Sequence, residues 1–201
     1  MRGVDVAFFF PTSNSERDLV FRKVEEALEA IEAYAPVRFA ALRSDFRQIL
    51  IRGRPDEVAH YDSEHQVCEI FVGWITSDDV TPESIASAIV HEAEHARLWR
   101  LGFRYTPDGQ ARIERTCHRA ERVFAGRLPT GAALAAAAQL GMDVQPQFYS
   151  EEARLQRERD ALRRFVSRNP LVAPMLWVYD LRAWVRRRRG ATRLRRGPTK
   201  R

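Results

Sequence analysis

The sequence predicts an α+β fold: an N-terminal helix, a small and mostly antiparallel sheet, then helices to the C-terminus. Three observations predict it. Apolar residues recur at helical spacing over 20–34, β-rich runs interrupted by turn residues fill 37–75, and helix starts and stops punctuate the chain from Thr81 onward. The composition, 45% hydrophobic and 30% charged over 201 residues, is that of a globular protein and excludes wholesale disorder.

Val20, Val24, Ala27, Leu28, Ile31 and Tyr34 mark the first amphipathic helix, with Ser15 and Asp18 as its expected capping box and Pro36 as its end. The runs Val37 to Leu42, Gln48 to Arg52, Glu57 to Tyr61 and Gln66 to Ile75 read as strands of a meander. Thr81–Pro82–Glu83 starts a helix with a cap, a first-position proline and a first-turn acid, and Gly102 stops it. A second helix is expected over 110–127, with an apolar stripe of Ile113, Cys117, Ala120, Phe124 and Leu128. An alanine-rich helix over 130–140, a charged helix from Ser150 and a last apolar helix over 171–188 follow. The expected division is a domain at 1–129, a helical extension at 130–189 and a basic, disordered tail at 190–201.

Charge is unevenly placed. The chain carries 33 basic and 27 acidic residues, a net +6, but ten basic residues and no acid lie between Leu181 and Arg201. The first 180 residues are therefore net −4. A nucleic-acid or anionic-membrane contact is accordingly expected of the tail and the apolar helix before it, as a weak, salt-sensitive one. No apolar run reaches the ~20 residues of a membrane-spanning helix. No secretory signal is evident, and the cytoplasm is the default compartment. Cys68 and Cys117 are too few for a disulfide framework or a four-cysteine zinc site.

The chemistry lies at His91–Glu92–Ala93–Glu94–His95, an H-E-x-x-H pattern inside the best-defined helix. Positions i and i+4 are about 40° apart around a helix, so both imidazoles leave one face and can share a metal ion. Glu92 lies to the side, placed to act as general base on a water. Ile85, Ile89, Ala96 and Trp99 form the packing stripe, with Glu94 and Arg97 expected on the outer side. A metal site needs a third protein ligand. Leu98 and Leu101 occupy the positions where a metzincin would have glycine and histidine. The remaining candidates are Glu114, His118 and Glu121, one polar stripe on the second helix. Glu114 is the chosen ligand, because eighteen intervening residues allow a turn and a return onto the first helix. His118 and Glu121, with Tyr105, are candidates to orient the ligands or to stabilise the transition state. Glu92 and His95 also supply one Glu-x-x-His copy of a di-iron bundle, but the β-rich runs argue against a bundle. Cys117 reads as a buried thiol, and His60 and His65 as surface residues.

An H-E-x-x-H helix followed by a helix bearing a glutamate at this distance resembles the gluzincin branch of the zincin metallopeptidases, in compact form, over about Gln66 to Arg127. The resemblance implies Zn²⁺ held by His91, His95 and Glu114, with Glu92 activating water for amide hydrolysis of a peptide or protein substrate. It also implies that Gln66 to Val72 is the sheet edge along which an extended peptide binds. The competing function class is a noncatalytic zincin-fold binding protein, acting through its apolar C-terminal helix and polybasic tail at an anionic membrane or nucleic acid.

Overall fold

A computed structural model describes residues 1–9, 13–53, 58–106, 109–144, 156, 159 and 160. The chain divides into two compact units, Met1–Arg154 and Leu155–Arg201. In the second, Gln156 Nε2 donates to both carboxylate oxygens of Asp160, one helical turn on. The expected apolar last helix and basic tail lie outside the described residues.

The first unit is α+β, as expected. Strand β1 (Val6–Phe9) is followed by helices α1 (Asn14–Tyr34) and α2 (Pro36–Asp45), then by strands β2 (Gln48–Arg52), β3 (Ala59–Asp62) and β4 (Val67–Phe71). The short helix α3 (Val72–Ile75) leads to α4 (Pro82–Arg100), α5 (Gln110–Ala125) and α6 (Ala132–Met142). Among these residues no helix is long and apolar enough to cross a membrane.

The sheet differs from the expected one. Its order is β1-β2-β4-β3; β1 pairs with β2 and β2 with β4 in parallel, and only β3–β4 is antiparallel. It is a mixed sheet rather than a mostly antiparallel meander. The helices α1 and α2 between β1 and β2 form the crossover that parallel pairing requires. Strand β1 has no counterpart among the expected elements. The expected strand Val37 to Leu42 is helix α2: Pro36 ends α1 and also occupies the first turn of α2, where its missing N–H costs nothing. Likewise the run Gln66 to Ile75 leaves the sheet at Phe71 and turns helical. The cap of α1 is Ser13, whose side chain accepts from the Glu16 amide, instead of Ser15.

Strand β4 is also not the edge. It lies between β2 and β3, with all five residues buried. Among the described residues the free edges belong to β1 and β3. An Asx turn connects β3 to β4: Asp62 Oδ1 accepts from the amides of Glu64 and His65. His60 lies exposed on β3, and His65 pairs with Asp62 at the surface.

Helix α4 is the central element. Thr81 caps it by accepting from the Ser84 amide, and Pro82 sits in its first turn. It ends in a Schellman motif: Gly102, at φ +90°, lets its own amide reach Trp99 O and that of Phe103 reach Leu98 O. Between these caps the helix is buried almost all round, against α1, β3 and α5. Glu94 is therefore not on an outer side. It is 3% exposed and takes Arg38 from α2 and Arg97 from its own helix, at 3.1 and 2.6 Å. Helix α6 packs on α5, so the expected boundary at 129 falls between two helices of one compact unit.

Candidate metal centre

His91 and His95 leave α4 on the face that meets α5, and their Nε2 atoms are 3.1 Å apart. From α5, Glu114 brings Oε2 to 3.5 Å from each of them. Among the described residues the partners of Glu114 are the two imidazoles. In a tetrahedral zinc site with bonds of 2.0–2.2 Å, ligand atoms are separated by about 3.3–3.6 Å. The three donors thus already lie close to one face of such a tetrahedron, and two nitrogens with one carboxylate oxygen are a donor set zinc takes.

The other side of each ring is also engaged. A carboxylate can only accept, so His91 donates Nδ1–H to Glu121 Oε2, at 3.2 Å. Glu121 takes His118 Nδ1 on the same oxygen at 2.9 Å and the Ser87 hydroxyl on Oε1 at 3.1 Å. Behind His95, Tyr105 Oη lies 2.5 Å and Cys117 Sγ 3.3 Å from Nδ1. Each imidazole is therefore held at Nδ1 while Nε2 points at Glu114. Such outer contacts fix the tautomer and ring angle of metal-binding histidines. Tyr105 and Glu121 hold the two rings from behind. Cys117 is near enough to both histidines for a ligand group, but its contact is with the Nδ1 side of His95.

Sequence reasoning passed over two residues. Ser87 lies one turn before His91 on the same face, a legible signal. Gly141 gave none beyond a helix stop. A Cβ there would come within 2.6 Å of the His118 ring, so a side chain at this place would force that ring or α6 to shift.

Electrostatics favours a cation at this centre. Burial by itself would depress His91, but hydrogen bonds to Glu114 and Glu121 and the charge of Glu92 raise it to about 10. Burial opposes ionisation of Glu114 too, yet the two imidazoles hold it far below the ordinary carboxylate range. Glu121, likewise against its burial, is lowered to about 2 by His118 and His91. Burial, then the Glu114 charge, pushes the Tyr105 hydroxyl and the Cys117 thiol upward, so both stay neutral. Glu92 is 7% exposed. The other buried acids are paired: Asp45 with Arg100, Glu69 with Arg52, and Glu94 with Arg38 and Arg97. Among the described residues Glu92 alone of them has no hydrogen bond or ion pair.

No protein-family model, curated protein or solved structure matches the chain.

Proposed function

We propose that the protein is a zinc-dependent metallohydrolase, most directly a peptidase. The observation that carries the reading is the convergence of His91 Nε2, His95 Nε2 and Glu114 Oε2 at 3.1–3.5 Å, with both Nδ1 atoms engaged from behind. His91, His95 and Glu114 would hold the ion. When bound there, zinc supplies Lewis-acid polarisation of a substrate carbonyl and lowers the pKa of water to about 7.

The chain's own residues supply the rest. Glu92, buried beside the ligands and unpaired, accepts the proton of the attacking water and returns it to the leaving amine. Glu121 and Tyr105 keep the imidazoles in register. The substrate is an extended peptide that adds to the free edge of β3, with which α4 packs. This replaces the edge assigned to Gln66 to Val72, whose ladder positions are filled on both sides by β2 and β3.

Elemental analysis of the purified protein tests the centre. The expected result is about one zinc per chain, lost in His91→Ala and in Glu114→Ala. No zinc in the native protein after zinc is added back refutes it. A peptide-library screen then tests the chemistry: Glu92→Gln should keep its zinc and lose about 10²–10⁴ of the hydrolysis rate. Full activity in that variant removes Glu92 from the mechanism.

A further inference from the structure

A feature independent of the metal centre lies on the other side of α5. Arg112, Arg115, Arg119 and Arg122 recur at intervals of three, four and three residues, and all four are exposed. That spacing puts them in one row along the helix, about 15 Å long at 1.5 Å per residue. Among the described residues Arg112, Arg119 and Arg122 form no ion pair, and Arg115 makes only a long hydrogen bond to Met142 O, 3.4 Å. The acids of α5, Glu114 and Glu121, are turned into the metal centre. Helix α6 alongside carries no charged residue. The net charge of −4 over the first 180 residues therefore conceals a strongly positive strip.

The strip borders a concavity. Arg122 and Arg127 flank an open groove of ≈ 580 Å³ between α5 and α6, with Val123, Gly126, Ala135 and Ala136 among its lining. We propose that this strip and groove bind the phosphodiester backbone of single-stranded nucleic acid. A strand laid along the row brings its phosphates within reach of the four long arginine side chains. Arginine forks match phosphate oxygens in pairs. Between the two arginines the small residues Gly126, Ala135 and Ala136 leave room for a base beside the backbone, whereas a flat lipid surface would meet only the rim. No aromatic residue lines the groove, so recognition is of the backbone and independent of sequence.

The test is fluorescence anisotropy of the full chain with a labelled mixed-sequence single-stranded DNA of about 20 nucleotides, titrated over salt. Each phosphate contact adds about 0.7 to the slope of log affinity against log salt. The variant R112Q/R115Q/R119Q/R122Q should therefore lose about 3 from that slope, and each half of it, R112Q/R115Q or R119Q/R122Q, about 1.4. The basic tail is present in every protein and cancels. Arginine-to-lysine replacement of all four should retain the slope, which separates charge from folding. Slopes unchanged within 0.5 in both double variants overturn the proposal. So does row-dependent capture by phosphatidylserine vesicles with no row-dependent DNA binding, which would make the partner a membrane.

Discussion

Titrating zinc into the metal-free protein at a series of pH values tests the site through His91. In the folded, metal-free chain this imidazole is raised to about 10, because Glu114 and Glu121 hold its proton from the two ring nitrogens. Zinc must displace the proton on Nε2 while that on Nδ1 stays with Glu121. The neutral fraction then rises tenfold per pH unit below 10, so apparent zinc affinity should climb about a hundredfold between pH 7 and pH 9. A histidine at its ordinary value of about 6.5 would give less than about a twofold rise over that range. The lowered carboxyls of Glu114 and Glu121 are already ionised and add nothing. Calorimetry in two buffers of different protonation heat should count about one proton released per zinc at pH 8. Glu121→Gln should flatten the pH dependence, because it removes one of the groups that hold the proton on His91. Stability follows the same linkage. A group raised in the folded state stabilises fully below its unfolded value, so the metal-free fold should lose stability from about pH 6.5 toward 10, by at most on the order of 5 kcal/mol. An affinity constant within twofold from pH 7 to 9 would refute this account of the centre.

Two further substitutions probe the scaffold. Gly141→Ala would normally stabilise a helix by about 0.5–1 kcal/mol; here the new Cβ meets the His118 ring at 2.6 Å, so denaturant midpoints should fall by about 1–3 kcal/mol instead. A stabilised variant would mean that α6 does not lie against His118. Lys23→Met removes an ammonium that donates to Ile75 O, Ser77 O and Val80 O at 2.8–3.2 Å, pinning the segment before α4 to α1. The expected loss is about 2–3 kcal/mol in urea unfolding, and a loss below 0.5 kcal/mol would show that the pin is not needed.

The residues that differ most from expectation share a cause. Val37 to Leu42 alternates well enough to pass for a strand, and only its packing between α1 and α4 selects the helix that Pro36 starts. Four residues of β1 carry too little pattern to announce a strand, and become one because β2 lies beside them. Glu94 looked like a solvent-facing acid; α2, some fifty residues earlier in the chain, covers it and brings Arg38. Conversely, Thr81, Pro82 and Gly102 mark α4 to within a residue, since caps act over one turn and need no distant partner.

By itself, then, the sequence determined what is local: the ends of α4, the shared face of His91 and His95, and the polar stripe of Glu114, His118 and Glu121. Rotation per residue is a constant of the helix, so a spacing of four is already a geometry. Only the tertiary structure decided which strand is the free edge, that Glu121 and Tyr105 engage the backs of the two imidazoles, and that a glycine in α6 makes room for His118. Those relations join elements far apart in the chain, and they depend on which surfaces must be buried together.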